Sequence, residues 1–145
     1  MTTIETMANK AVLRRFHDAV SSGDAEIVAR TIDEVVHPEL LIHTPLPIVT
    51  KGTQAMKEVL VALHRAFPDL DVHIDDMIAE GDKVVTRNTV TGTHRGEYLG
   101  IGPTGRSVTY KEVLTVRFAD GRIIETWAVV DGLSVMRQLG KFPAP

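Results

Sequence analysis

No cysteine occurs in the 145 residues, so the chain can hold neither a thiol nucleophile, a thiolate metal site nor a disulfide framework. That lack fits a reducing compartment, and a cytoplasmic location is expected. Aromatic residues make up 5% of the chain, one Trp, two Tyr and four Phe, too few for a surface that stacks nucleic-acid bases. The apolar run Val59-Leu60-Val61-Ala62-Leu63 stops far short of the ~20 residues of a membrane span. Met1-Thr2-Thr3-Ile4-Glu5 lacks the basic and apolar regions of a signal peptide, so the start is expected to belong to the fold. Charge of one sign is also scarce: 16 Lys and Arg stand against 19 Asp and Glu, which leaves no basic footprint for nucleic acid or anionic lipid. Neither partner is expected. What the chain does have is 43% apolar residues and a length at which one domain buries roughly 68–70% of its unfolded surface. With no repeat, low-complexity tract or long linker, residues 1–145 read as a single domain.

The hydrophobic period is helical before about Pro68 and mostly twofold after about Asp71, which predicts an α+β order. Ala8, Val12, Phe16, Ala19 and Val20 recur at helical spacing and predict a helix from Ile4 to Ser21, stopped by Ser21-Ser22-Gly23. Asp24 is a good N-cap for a second helix with Ile27, Val28, Thr31, Ile32, Val35 and Val36 inward, ended by His37-Pro38. A short extended piece, Leu40 to His43, leads into a Pro-rich turn. Thr53 then caps a third helix with Met56, Val59, Leu60, Leu63, Ala66 and Phe67 inward. Four strands follow, Asp71 to Ala79, Lys83 to Thr93, Arg106 to Phe118 and Arg122 to Val130, before a short helix at Leu133 to Leu139 and a Pro-containing tail. Short turns at Glu80-Gly81-Asp82 and Ala119-Asp120-Gly121 predict antiparallel pairing. Three N-terminal helices on a curved antiparallel sheet make a cone with an internal pocket for a small molecule.

Gly100-Ile101-Gly102-Pro103-Thr104-Gly105 spells a dinucleotide fingerprint but precedes a strand, whereas that motif must open a helix facing the pyrophosphate. It reads as a hairpin connection. The six histidines have no metal-ligand spacing, so no metal is expected. His43 stands out, because a strand end before a Pro-rich turn meets the mouth of such a pocket. The C-terminal hairpin is the most informative segment. A three-residue loop Ala119-Asp120-Gly121 pairs Phe118 with Arg122 and puts Val113, Thr115 and Arg117 on one face with Ile123, Glu125, Trp127, Val129 and Asp131. The opposite face is then almost purely apolar except for Glu112 and Thr126. A two-residue loop would bury Arg117 among apolar side chains, which disfavours it. Arg117 and Glu125 are in reach of a cross-strand ion pair. Asp131 has two readings: N-cap of the last helix, or a carboxylate facing an apolar pocket, its pKa raised by desolvation so that it can accept a proton near neutral pH.

These residues resemble the SnoaL-like polyketide cyclases of the nuclear transport factor two superfamily. The resemblance rests on Asn9-Lys10, Arg14-Arg15-Phe16, His43, Phe67-Pro68-Asp69-Leu70 and Glu80-Gly81-Asp82-Lys83-Val84. It continues through Thr91-Gly92-Thr93-His94-Arg95-Gly96, the Gly100 to Arg106 turn, Asp120-Gly121-Arg122-Ile123, Glu125, Trp127, Asp131 and Gln138-Leu139-Gly140. The resemblance implies an α+β cone, a homodimer or homotetramer, and aldol ring closure of a polyketide without metal or organic cofactor. It implies Asp131 as acid/base; His43, from its place at the pocket mouth, is the second candidate catalytic group. Phe16, His94, Arg117, Glu125 and Trp127 are the candidate substrate-binding residues; by the resemblance, Arg117 falls where the cyclases carry a histidine and Asn88 where many relatives carry a tryptophan. The function expected is therefore acid/base chemistry on a hydrophobic carbonyl compound. An isomerase, dehydratase or epoxide hydrolase on the same scaffold, and a non-catalytic small-molecule binder, are the alternatives.

Overall fold

The computed structural model describes residues 2–142; the last residues of the Pro-containing tail, 143–145, lie outside them. Helix α1 spans Thr3–Ser22 and opens on a capping box, in which Thr2 Oγ1 accepts from Glu5 N–H and Glu5 accepts in turn from Thr2 N–H. Gly23 ends it at φ +68°. Its inward stripe is Asn9, Leu13, Phe16, His17, Ala19 and Val20; Ala8, expected inside, is exposed and Leu13 is fully buried. Asp24 caps α2, Ala25–Val35, by accepting from Glu26 and Ile27 N–H. Val36 leaves that helix and begins β1, Val36–His43, a longer strand than the sequence predicts.

Helix α3, Gly52–Ala66, has Lys51 at its N-cap with no side-chain cap, so Thr53 is not the capping residue. Packing fixes this start instead. Gly52 has φ +62°, and a Cβ there would lie 2.2 Å from the Pro38 carbonyl oxygen, so only glycine lets α3 pass so close to β1.

Strands β2, Asp71–Glu80, β3, Lys83–Thr93, β4, Ser107–Ala119, and β5, Arg122–Val130, are followed by α4, Gly132–Gln138. The sheet order is β1-β5-β4-β3-β2. The α+β cone is as expected, but the sheet is mixed: β1 runs parallel to β5. That pairing joins distant parts of the chain and has no local sequence signal. Beyond the last β4–β5 pair, the edge of β4 is covered by α4: Gln138 accepts from Thr109 N–H at 2.9 Å and donates to its carbonyl at 2.8 Å.

The loop of the β4–β5 hairpin is Asp120-Gly121, with φ +52° and +74°, the two positive values of a type I′ turn. Ala119 therefore pairs with Arg122 and Phe118 with Ile123, the two-residue register that sequence reasoning set aside. A bulge corrects it. Arg117 pairs with Glu125, not Ile124, and the faces beyond follow the favoured assignment. Ile123 is the exception, buried opposite Phe118 instead of lying with Arg117.

Replacing Gly52 with Ala combines a strained left-handed φ with a backbone clash and should destabilise the fold by at least about 2 kcal/mol. Gly81→Ala, with φ +60° but nothing within 4 Å of the added Cβ, should lose only about 1 kcal/mol. Urea unfolding of the two variants checks the ordering.

Candidate active site

Between the helices and the inner face of the sheet lies a cavity of about 110 Å³. Its wall is mostly aliphatic: Leu13, Phe16 and Val20 from α1, Met56, Val59 and Leu60 from α3, and Leu114, Val116, Ala128 and Val130 from the sheet. Polar groups are few. They are His17, His43, Thr44, Tyr98, Tyr110, Glu112 and Thr126.

Glu112 is the one carboxylate among them. It alternates inward on β4 with Tyr110 and Leu114, and is half-buried, its free part opening on the cavity. Opposite it on β3 stands Asn88, fully buried, whose Nδ2 donates to Glu112 Oε1 at 2.9 Å. Burial pushes the Glu112 carboxyl above the usual carboxylate range, and the Asn88 hydrogen bond opposes that only in part. The amide occupies Oε1 and leaves Oε2 to gain or lose a proton. Asn88 Oδ1 is buried without a donor.

His17 is 4% exposed, and its Nδ1 has no hydrogen-bond partner. Burial pushes its pKa from 6.5 down to about 4, so at neutral pH it is an uncharged part of the wall. Tyr98 and Tyr110 are raised, first by burial, so both stay neutral phenols.

The residues singled out from the sequence divide between the two faces of the sheet. Phe16 lines the cavity and His43 reaches its edge. Arg117, Glu125 and Trp127 lie on the outer face. There Arg117 Nη2 donates to Glu125 Oε1 at 3.0 Å, His43 Nε2 lies 2.9 Å from Glu125 Oε2, and the His43 ring stacks on Trp127 at 5.3 Å and 10°. The His43 hydrogen bond first, then Arg117, holds the Glu125 carboxyl below its ordinary range. A carboxylate so stabilised is a poor base.

His94 is fully buried, its Nδ1 accepting from Thr104 N–H at 3.2 Å, and it closes the loop from β3 to β4 instead of facing the cavity. Asp131 is exposed and off the cavity wall; its Oδ1 accepts from Ser134 N–H at 3.1 Å and caps α4. The capping reading of the sequence describes its position, and the desolvated one does not. Glu112 carries the properties sought in Asp131. Its signal was present in the sequence as the lone acidic interruption of an otherwise apolar strand face. Among the described residues no group of three or more His, Asp or Glu is arranged to hold a metal, and no helix is long and apolar enough to cross a membrane.

Comparison with known proteins agrees with this architecture. The family model described as SnoaL-like polyketide cyclase matches residues 10–139. The chain is 29% identical over 138 residues to the aklanonic acid methyl ester cyclase DnrD of Streptomyces peucetius, covering 92% of each chain. Among solved structures it is similar to TsrD of Streptomyces laurentii, at 30% identity and TM-score 0.83 over 94% of this chain and 97% of that one. A SnoaL-like protein of Jannaschia sp. CCS1 superposes with TM-score 0.85 at 25% identity over 99% of both chains.

The two buried groups give opposite pH dependences of stability. His17 is depressed, so its contribution is present above pH 6.5 and is lost as pH falls toward about 4, on the order of 3 kcal/mol at full extent. His17→Phe should flatten that acid limb. Glu112 is raised, so stability is greatest below the unfolded value of 4.5 and declines as pH rises through the folded one. Glu112→Gln, which can keep the Asn88 bond, should unfold at an equal or higher midpoint than the parent at pH 8. Urea midpoints measured from pH 4 to 8 read both effects.

Proposed function

The chain belongs to the SnoaL-like polyketide cyclase family of enzymes, and on that premise we propose that it closes a ring on a hydrophobic, carbonyl-bearing small molecule with Glu112 as acid/base. The observation that carries the proposal is a carboxylate on an apolar cavity wall, bonded through one oxygen to Asn88 and free at the other. In the reaction, Glu112 Oε2 takes a proton from a carbon flanked by carbonyl groups. The resulting enolate carbon attacks a second carbonyl carbon, forming the C–C bond, and the new alkoxide recovers the proton from Glu112. No atom is gained or lost, and the carboxylate is regenerated.

A carboxylate held above its ordinary pKa is a stronger base than one on the surface, which brings it closer to the acidity of such a carbon. The apolar wall supports the same step by excluding water that would level the difference. Asp131, in this reading, serves α4 and not the chemistry. The homo-oligomer expected from the sequence belongs to the proposal as well: Leu41, Ile78, Val113 and Val129 are exposed on the outer face of the sheet, where a second copy of the chain would bury them. Val129→Lys should then sediment as a smaller species than the parent.

Aklanonic acid methyl ester, the substrate in DnrD's name, is the probe for the reaction. Glu112→Gln should lower kcat for its ring closure by about 10²–10⁴-fold, and Asp131→Asn should stay within a few-fold of the parent. Chromatographic measurement of product formation decides. A folded Glu112→Gln that retains the parental rate, or a parent that leaves the ester unchanged, would overturn this reading.

A further inference from the structure

Enolisation moves one negative charge from the carboxylate to a substrate oxygen, and that oxygen needs a donor in the same cavity. Tyr110 lies two residues before Glu112 on β4, so both side chains point inward and are neighbours along the strand. Its side chain is packed tightly, at 6% exposure, and it lines this cavity but not a neighbouring surface groove bounded by Pro47, Lys57, Glu58 and Leu99. Tyr98, 7% exposed, stands in the wall shared by cavity and groove. Its backbone is pinned by paired hydrogen bonds with Ile101, and its ring meets Phe67 edge-on at 5.2 Å.

Buried tyrosines usually find a partner for the hydroxyl. Among the described residues, no side-chain hydrogen bond engages either phenol oxygen, and neither oxygen is among the atoms sealed from solvent without a partner. Both hydroxyls are therefore open to an occupant. Burial first, and the neighbouring Glu112 charge after it, keep both phenols protonated, so each retains an O–H to donate to a negative oxygen in the cavity.

We infer that Tyr110, assisted by Tyr98, binds the oxyanion of the reacting molecule, its phenol O–H donating to the enolate oxygen of an enolisable aryl ketone or 1,3-dicarbonyl. The inference rests on the reading of Glu112 as the base and adds the group that receives the charge. Before proton transfer the negative charge sits on Glu112; afterwards it sits on the substrate oxygen, with Glu112 protonated. Donors already fixed against Phe67 and the β4 backbone need no reorganisation as the charge arrives. The recognised class is a molecule whose enol is conjugated with an aromatic ring, because the cavity offers the Phe16 ring and an aliphatic wall to a planar apolar surface, with the two tyrosines among its few polar groups.

The test uses 4-nitrophenol as an oxyanion probe, read by the absorbance of its phenolate, in the full-length protein carrying Glu112→Gln so that no carboxylate competes. Bound 4-nitrophenol should ionise about one pH unit lower in that background than in the double variant with Tyr110→Phe, since one charge-assisted hydrogen bond is removed. Thermal unfolding confirms that both proteins are folded. Equal ionisation in the two, or failure of the probe to bind, overturns the inference. A second arm measures ring closure of aklanonic acid methyl ester. Tyr110→Phe alone should lower kcat by about 10–10²-fold with KM little changed, and an unchanged kcat also overturns the inference. Because the ionisation arm involves no turnover, it separates the two readings. An unshifted probe with an inactive Glu112→Gln removes the phenols and leaves the base, whereas a shifted probe with an active Glu112→Gln removes the base and leaves the phenols.

Discussion

The extra residue in β5 decides which side chains meet the cavity. Side chains alternate along a strand, so a register error of one residue would exchange every inward group of β4 or β5 for an outward one. The type I′ turn at Asp120-Gly121 begins the hairpin in the register that would turn Arg117 toward the apolar side. Ile124 absorbs one position, and from Arg117↔Glu125 onward the pairing places all charge of this hairpin outside except Glu112. The energetic reason is plain. An unpaired guanidinium among aliphatic side chains would cost several kcal/mol, whereas a bulge loses little more than one regular pair.

The pairing of β3 with β4 brings Asn88 and Glu112 face to face and so creates an expensive feature of the core. A carboxylate there is partly stripped of water and receives a single neutral hydrogen bond in return, which does not restore what solvation would have supplied. Folding consequently makes this carboxylate hold a proton more readily than a solvated one does. On the outer face the balance is reversed: Glu125 has both His43 and Arg117, which hold its carboxyl below the usual range. The protein thus keeps two glutamates of opposite character on the two faces of one hairpin. Their environments, not their residue type, separate the group proposed to exchange a proton from a structural one.

Much of this was legible in the sequence where local chemistry decides the outcome. Asp24 as a cap, Gly23 as a stop, and the bounds of β3 and β5 follow from turn residues and alternation. Failures cluster where distant segments meet. Nothing near Leu40 to His43 announces a parallel partner in β5, and nothing near Thr53 shows that the approach of Pro38 makes Gly52 the first helical residue. In α1 the apolar spacing allowed a stripe through Ala8 and Val12. Packing against β2 and the cavity instead selects Leu13 and His17, one position further round the helix. Asp131 was ambiguous because a cap and a cavity carboxylate have the same local signature at a strand-to-helix junction.

Glu112 was harder to weigh than Asp131, because an acidic residue on an apolar strand face looks like an error of register. The two explanations differ in what they require of the neighbouring strand. A register error would be repaired by sliding β4, but sliding would also move Leu114, Val116 and Phe118 out of the core, exposing three large apolar side chains to free one carboxylate. At roughly 1.5–3 kcal/mol for each such side chain, that loss exceeds the penalty of a half-buried acid with one hydrogen bond. The apolar positions therefore hold β4 in place and Glu112 is carried inward with them. The role proposed for Glu112 depends on that inequality: the core is strong enough to keep a carboxylate where the carboxylate alone would not stay.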